Sequence, residues 1–234
     1  MYSLLRGISY PCESLTLSTL SADHVKKPAG TRRPSFLASN TLQFHVSDDV
    51  GIVTPAVQCP SPNQDERPAG AVPELLVIHG ISLPPGKFGG DYIEALFTNT
   101  LDPQQHPYFR EIADLKVSAH LLLRRDGALL QFVPLTRRAW HAGDSKFRGR
   151  SCCNDYSIGI ELEGTDDEAY TDQQYQRLPV LIHAIIRAYP RISARQIAGH
   201  CDIAPGRKSD PGPAFDWLRL YDGLAAISSP GKST

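Results

Sequence analysis

The sequence predicts a mixed α/β fold in which a central β-sheet of about five or six strands, the usual sheet size, is flanked by helices. Three observations carry this prediction. A continuous apolar run at residues 74–80, bounded by Pro73 and Gly80, is typical of a buried strand. Residues 156–164 alternate apolar and polar side chains, which indicates another strand. Residues 171–189 open with a capping-box pattern and continue with helical apolar spacing, which predicts a long helix packed on the sheet.

Length and charge restrict the class of protein. The chain has 234 residues, which suggests one domain, and its 24 Lys and Arg residues nearly balance 25 Asp and Glu residues. A general nucleic-acid-binding protein would show a basic excess. No apolar run approaches the ~18 residues of a membrane span. We therefore expect neither a nucleic-acid partner nor a membrane partner.

The two ends of the chain differ from its middle. Residues 1–40 are rich in Ser, Thr and basic residues, as organelle transit peptides are, but they lack the apolar core of a secretory signal. The alternative is a disordered leader or translation from an upstream start codon. We expect the folded domain at residues 41–228, with 229–234 as a tail. Within it, the proline-rich residues 41–73 are expected to form an extended arm with one short strand near residues 51–54.

The next elements are short. Helical spacing of apolar residues predicts two helices within residues 89–97 and 108–115. Residues 119–134 are predicted to form a β-hairpin, because the Asp126-Gly127 pair between two apolar runs is a strong turn signal.

The segment after the hairpin carries two aromatic rings. Trp140 and His141 could form a stacking and hydrogen-bonding wall for a sugar or a peptide, and the alternative is that the indole fills the edge of the core. Lys146, Arg148 and Arg150 make the following loop basic. These cations could attract a ligand carboxylate, or they could simply be solvated.

Three ionisable side chains lie on predicted strands. His79 ends the first strand and faces a Pro- and Gly-rich loop, so it could line a cleft, although most histidines are structural. Glu161 lies in the middle of a strand otherwise suited to burial, where a carboxylate needs a partner or a function. Glu163, nearer the end of that strand, is expected to be solvated.

The loop after the last predicted strand is dense in reactive groups. The strand covers residues 196–200, and His200, Lys208 and Asp210 follow within a stretch that prolines and glycines stiffen. Two histidines and one carboxylate leave a fourth position open, which is the pattern of a catalytic zinc site. We therefore hypothesise that His79, His200 and Asp210 bind zinc. The alternative that Cys201 is a fourth ligand would close the site. A final helix is predicted over residues 214–227.

The motifs resemble those of the AmpD-type N-acetylmuramoyl-L-alanine amidases, in a wider zinc amidase family that includes phage T7 lysozyme and the peptidoglycan recognition proteins. The resemblance covers roughly residues 50–222, and the letters SIGIELEGTD and GHCDIAPGRKSDPGPAFDW are its most specific parts. The stretches that carry it are Leu75–His79, Ile81–Gly90, Val117–Gly127, Arg138–Gly143, Cys153–Thr165 and Gly199–Trp217.

The resemblance implies an activity and a site. The family's three zinc ligands fall on His79, His200 and Asp210, its catalytic acidic residue on Glu161 and its catalytic lysine on Lys208. The implied reaction is hydrolysis of the amide between N-acetylmuramic acid and L-alanine. The AmpD type prefers 1,6-anhydro-muramoyl peptides recovered from cell-wall turnover in the cytoplasm. We accordingly expect a cytoplasmic, monomeric zinc amidase of muropeptides, with the sheet of that family.

Physical chemistry suggests how these groups would act. Glu161 would take a proton from the attacking water and pass it to the leaving nitrogen. Lys208, a poor base at neutral pH, would stabilise the developing oxyanion. Trp140, His141 and Lys116 are candidate substrate-binding residues.

Two positions depart from the family pattern. Gly80 stands where Asn is common, so one substrate hydrogen bond would be missing. Cys152 stands where Arg is common, and Lys116 is a candidate replacement for the lost cationic contact. Two rival functions remain: a non-catalytic peptidoglycan-binding module, and an amidase that acts on intact wall outside the cytoplasm.

Overall fold

A computed structural model of the chain describes residues 43–47 and 49–228. The predicted leader at residues 1–40 and the predicted tail at 229–234 lie outside the described residues, so the proposed domain boundaries stay predictions. Short 3₁₀ turns occur at Cys153–Asp155 and Ala194–Gln196.

The other elements are strands and helices. In chain order they are β1 (His45–Val46), β2 (Val53–Thr54), β3 (Val57–Gln58), β4 (Gln64–Asp65), β5 (Leu75–Ile81), α1 (Tyr92–Phe97), α2 (Phe109–Ile112), β6 (Leu121–Leu123), β7 (Leu129–Gln131), β8 (Arg138–Ala139), β9 (Lys146–Phe147), β10 (Arg150–Ser151), β11 (Ser157–Glu163), α3 (Asp172–Ala188), β12 (Ile197–Gly199), α4 (His200–Ile203) and α5 (Trp217–Ser228).

The main sheet has six strands in the order β12-β5-β11-β6-β7-β3. Its ladders are parallel except for the antiparallel β6–β7 pair, which is the hairpin that Asp126-Gly127 predicts. Three antiparallel two-stranded pairs, β1–β2, β4–β8 and β9–β10, lie outside this sheet. The prediction of a mixed α/β fold with five or six sheet strands is confirmed.

The two faces of the central strands differ in what covers them. On β5, Leu76 and Ile78 belong to the apolar cluster that includes α3 and α5. Leu75 and Val77 point to the opposite face and belong to a second cluster with α4 and the segment before β9. Because side chains alternate along a strand, His79 lies on the face of Leu75 and Val77, away from the two long helices.

The predicted capping box opens α3. Thr171 Oγ1 accepts from Gln174 N at 3.2 Å, and Gln174 Oε1 accepts from Thr171 N at 2.9 Å. Gln174 Nε2 also donates to the carbonyls of Leu123 and Glu163. One glutamine side chain therefore caps the helix and fixes its start against the ends of two strands.

The arm is more ordered than the prediction of one strand near residues 51–54. It contributes four short strands, of which β3 pairs with β7 as the edge of the main sheet. One reason is the buried side chain of Gln131, whose Oε1 accepts from Val53 N and whose Nε2 donates to Gly51 O, both at 2.8 Å. A polar side chain within an apolar hairpin thus supplies partners for the arm's backbone.

The prediction that Glu163 is solvated is wrong. This residue is buried, and its carboxylate accepts from Gly89 N at 2.5 Å and from Arg125 N at 3.2 Å. Arg124 Nη1 lies 3.5 Å from the same carboxylate. Glu163 therefore holds the glycine-rich loop before α1 against the end of β11.

Two boundaries differ from prediction at the C-terminal end. The last strand stops at Gly199 and His200 begins α4, because Asp202 Oδ2 accepts from Gly199 N at 2.7 Å and caps a helical turn. The final helix begins at Trp217 rather than at residue 214. Within the described residues, none of the helices has the length and apolar composition needed to cross a lipid bilayer.

Candidate metal centre and active site

Three parallel strands bring the candidate residues to one edge of the sheet. His79 lies near the carboxyl end of β5, Glu161 near that of β11, and His200 directly after β12. Adjacent parallel strands end at the same edge, which is where open α/β sheets commonly hold their ligands. Asp210 reaches this edge from the loop, and its carbonyl accepts from Cys201 N at 2.9 Å.

The atoms of three side chains form a nearly equilateral triangle. His79 Nδ1 lies 3.0 Å from His200 Nδ1 and 3.2 Å from Asp210 Oδ2, and the two remaining atoms are 3.1 Å apart. All three residues are buried, and they are the only group in the described part of the chain with metal-binding geometry. Cys201 is not part of this group.

The triangle fits a tetrahedral zinc ion. With ligand bonds of about 2.0–2.1 Å, tetrahedral geometry places ligand atoms about 3.3 Å apart, close to the observed separations. Burial lowers the pKa of His79 to about 4, so its imidazole is neutral, the form that binds metals. Burial would raise the pKa of Asp210, but the neighbouring imidazoles of His200 and His79 lower it below its usual range, so the carboxylate is ionised.

Glu161 presents a buried and incompletely paired carboxylate. Its exposed fraction is 9%, and within the described part of the chain its Oε2 has no hydrogen-bond partner. Burial, together with the charge of Asp210, raises the pKa of Glu161 well above its usual value, and the Lys208 cation acts in the opposite direction. A carboxylate with a raised pKa takes up a proton more readily than an ordinary glutamate, which suits a general base.

Lys208 is held by a tight turn beside the ligand group, which is the set His79, His200 and Asp210. Its backbone N donates to Ala204 O at 3.0 Å, and Gly206 in this turn has φ of +76°, which glycine adopts readily. Burial lowers the pKa of Lys208, whereas the charges of Asp210 and Glu161 raise it. The negative charges of both carboxylates thus interact with the Lys208 ammonium.

The three candidate substrate-binding residues all line the cavity next to the ligand group, which has a volume of about 460 Å³. Trp140 is half-buried, and Lys116 is exposed. His141 contacts one candidate metal ligand directly, because its Nδ1 lies 2.9 Å from His79 Nε2. Gly80, the first departure from the family pattern, packs so closely against the Tyr170 hydroxyl that a Cβ would displace it.

Sequence reasoning missed two residues of this site. Asn154 accepts from the backbone N of His141 at 3.1 Å and of Ala142 at 2.8 Å. Arg207 lines the cavity and donates to the carbonyls of Ala142 and Asp144. Neither residue has a spacing signal, because both act through backbone groups that are distant in sequence.

The mixed sheet carries at its edge a buried group of two histidines and one carboxylate that could bind a metal ion, beside a cavity lined by a glutamate and a lysine. This arrangement suits a hydrolase. Residues 69–213 match the family described as N-acetylmuramoyl-L-alanine amidase. The chain belongs to this N-acetylmuramoyl-L-alanine amidase family.

Individual relatives agree with this assignment. The chain is 62% identical over 170 residues to the 1,6-anhydro-N-acetylmuramyl-L-alanine amidase AmpD of Escherichia coli K12, which covers 73% of the chain and 92% of that protein. It is 60% identical over 186 residues to the AmpD of Citrobacter freundii, covering 80% of the chain and 98% of that protein.

Solved structures share the fold. The crystal structure of a selenomethionine AmpD derivative aligns with a TM-score of 0.73 and 58% identity, covering 75% of this chain and 98% of that one. AmpDh3 of Pseudomonas aeruginosa, solved in complex with anhydromuramic pentapeptide, aligns with a TM-score of 0.51 and 29% identity over 64% of this chain and 59% of that one.

Proposed function

We propose that this protein is a zinc-dependent amidase that hydrolyses the bond between 1,6-anhydro-N-acetylmuramic acid and L-alanine in muropeptides during peptidoglycan recycling. The convergence of His79, His200 and Asp210 beside Glu161 and Lys208 is the observation that carries the proposal. The relatives at about 60% identity bear names for this activity. A cytoplasmic location and a monomeric state stay predictions.

The three converging side chains would hold the zinc ion. Two neutral imidazoles and one carboxylate leave one tetrahedral position open, as catalytic zinc sites do. A zinc ion there would supply Lewis-acid chemistry, which activates water and polarises the scissile carbonyl.

Glu161 would be the general base and then the general acid. Its Oε2 is free to accept a proton from the attacking water, and its raised pKa favours retention of that proton until the leaving nitrogen needs it. Because the carboxylate lies on a strand in the middle of the sheet, its position depends on the backbone ladder rather than on a loop.

Lys208 would stabilise the oxyanion that develops at the scissile carbonyl. Burial lowers the pKa of Lys208, and the charges of Asp210 and Glu161 oppose this effect and favour the ammonium form. A single donor to an oxyanion contributes typically ~3 kcal/mol to lowering the barrier.

The cavity supports a muropeptide as the substrate. Trp140 offers an apolar face for a sugar or a peptide, and Lys116 and Arg207 place cations where the carboxylates of a stem peptide could bind. A relative with the same fold was solved with an anhydromuramic pentapeptide. A purely binding role is disfavoured, since all three candidate ligands are present and converge.

The test compares two substrates. Purified protein with measured zinc stoichiometry is incubated with anhydro-muramyl tripeptide and, separately, with intact sacculi, and the products are identified by mass spectrometry. We expect one zinc per chain and release of the free tripeptide from the first substrate. Cleavage of sacculi alone would favour the amidase of intact wall, and no cleavage by zinc-loaded protein would favour the binding module.

A further inference from the structure

We propose that Asn154 is a positioning residue for the metal centre: its side-chain oxygen fixes the backbone of His141 and Ala142, which in turn orient the two histidine ligands. The inference rests on the proposed zinc site. It concerns groups that contact neither the ion nor the substrate's reacting atoms.

The first step is the contact of Asn154 with two successive backbone groups. Its Oδ1 accepts from His141 N at 3.1 Å and from Ala142 N at 2.8 Å. The Asn154 backbone is itself held, because the partly buried guanidinium of Arg67 donates to its carbonyl at 3.2 Å. One carboxamide oxygen therefore fixes the position and the direction of a two-residue segment.

His141 connects this segment to His79. A neutral His79 that binds metal through Nδ1 carries its proton on Nε2, and this N–H points to His141 Nδ1 at 2.9 Å. His141 must then accept at Nδ1 and carry its own proton on Nε2, which donates to Ser157 Oγ at 3.1 Å. An imidazole thus takes the place that a carboxylate or a carbonyl usually has behind a metal-binding histidine.

The third step leads to His200. Its Nε2 lies 3.3 Å from the carbonyl of Ala142, the residue next to His141. The same carbonyl accepts from Arg207 Nη2 at 2.7 Å, which fixes its direction. Each ligand imidazole is therefore oriented by a neighbouring group of the segment that Asn154 holds.

The strand below this segment is shaped to receive it. Gly159 has no side chain, and a Cβ placed there would lie 2.6 Å from the His141 ring. The His141 imidazole therefore occupies the space of one missing side chain on β11. Its ring is confined between this glycine and His79, so a shift of the Asn154-held backbone would be transmitted to the ligand.

The first experiment measures zinc affinity by competition with a chromophoric chelator. Asn154→Ala removes the acceptor, and Asn154→Asp keeps an oxygen in the same place. The matched control is Asn63→Ala, because Asn63 is a buried asparagine whose side chain donates to Phe97 O and Val117 O and not to His141, Ala142 or a candidate ligand. We expect the zinc Kd to rise about 10- to 100-fold in Asn154→Ala, as for other partners behind metal ligands.

The controls separate positioning from general stability. Asn154→Asp should keep the zinc Kd within about threefold of wild type, and Asn63→Ala should lower Tm with the zinc Kd unchanged, whereas a merely structural Asn154 would resemble Asn63. A wild-type zinc Kd in folded Asn154→Ala, or an equal loss in Asn154→Asp, would overturn the inference. Failure of the wild-type protein to bind zinc would instead overturn the metal site itself.

A second pair of variants tests the His141 step. His141→Asn keeps an acceptor near the position of Nδ1, and His141→Phe keeps a ring without an acceptor. We expect two changes to be much larger in His141→Phe than in His141→Asn: a change in the visible spectrum of the cobalt-substituted protein, and a rise in the Kd for the metal ion. Equal spectra and equal affinities in the two variants would contradict the assigned hydrogen bond to His79.

Discussion

Glu161 and His79 are paired partners in the ladder between two adjacent parallel strands. Neighbouring strands lie about 4.8 Å apart, so the sheet itself holds the proposed base next to a proposed metal ligand. Both side chains leave the same face, which the two long helices do not cover. Sites built on strands are held more accurately than sites on loops, and this pair needs no movement to assemble.

The first prediction concerns Glu161. Glu161→Gln keeps the shape of the side chain but cannot take a proton, so we expect kcat to fall about 10²- to 10⁴-fold, the usual range for a general base. Zinc stoichiometry should remain that of the wild type, because the residue is not one of the three converging ligands. Steady-state kinetics with anhydro-muramyl tripeptide and metal analysis check this.

Glu163 gives the matched control, since it lies on the same strand and the same face. Glu163→Gln removes the charge that Arg124 contacts and weakens the acceptor for the glycine-rich loop, so we expect a lower Tm with kcat within a few-fold of wild type. Equal kcat losses in the two variants would show that Glu161 has no special part in the reaction.

The second prediction concerns Lys208. Lys208→Met retains the aliphatic stem but removes the cation, and we expect kcat to fall about 10²- to 10³-fold, as when one oxyanion donor is lost. The exposed lysine on β9, Lys146, supplies the control. Kinetics of Lys146→Met should match wild type, and a Lys208→Met enzyme with wild-type kcat would exclude the electrostatic role.

The third prediction concerns removal of the metal. A ligand at about a thousand times its Kd stabilises the folded state by about 4 kcal/mol. In a chain of this size, each kcal/mol of stability changes Tm by roughly 2–4 °C. Loss of the metal should therefore lower Tm by about 10 °C after chelation. Differential scanning calorimetry and activity assays before chelation, after chelation and after zinc addition measure this, and a fully active chelated protein would contradict the metal site.

The fourth prediction concerns Gly159. Gly159→Ala would place a methyl group against the His141 ring, and overpacking of this kind typically costs about 1–3 kcal/mol. We expect a lower free energy of unfolding and, because His141 would shift against His79, weaker zinc binding. Urea unfolding and metal competition measure the two effects, and an alanine tolerated in both assays would mean that the ring moves freely.

The fifth prediction concerns the arm. Gln131→Leu leaves Val53 N without its acceptor, and a buried group left unpaired costs about 1–3 kcal/mol. Gly51 O loses one of its two donors and keeps Leu135 N. We expect limited proteolysis to cut the arm at residues 49–58 much faster in the variant than in the wild type. Unchanged cleavage rates would show that the backbone pairing of the arm holds it without the Gln131 side chain.

Much of the fold could be predicted from the sequence because its signals are local. The apolar run of β5, the Asp126-Gly127 turn and the Thr171–Gln174 capping box each depend on neighbouring residues, and each is present in the structure. The candidate site follows from residue types and from family resemblance, and the structure brings His79, His200 and Asp210 together.

The remaining features depend on contacts between distant residues. No residue near Glu163 in sequence indicates that its carboxylate accepts from the backbone of Gly89, so the burial of Glu163 could not be predicted. The arm's strands need Gln131, and the orientation of the ligands needs Asn154, each through hydrogen bonds to residues elsewhere in the chain. The predicted strand extends to His200 because an aspartate such as Asp202 is also common in loops and does not by itself indicate a helix start. In the structure the Asp202 carboxylate accepts from Gly199 N, and a helical turn begins at His200.

The lengths of the sheet's strands have a consequence for behaviour at high concentration. The two inner strands β5 and β11 have seven residues each, whereas the outermost strands β3 and β12 have two and three. Open backbone groups along a sheet margin are where chains add to one another and begin fibrils. Edge strands this short have few unpaired backbone groups, so the long apolar strands inside the sheet are shielded from intermolecular pairing while the protein stays folded.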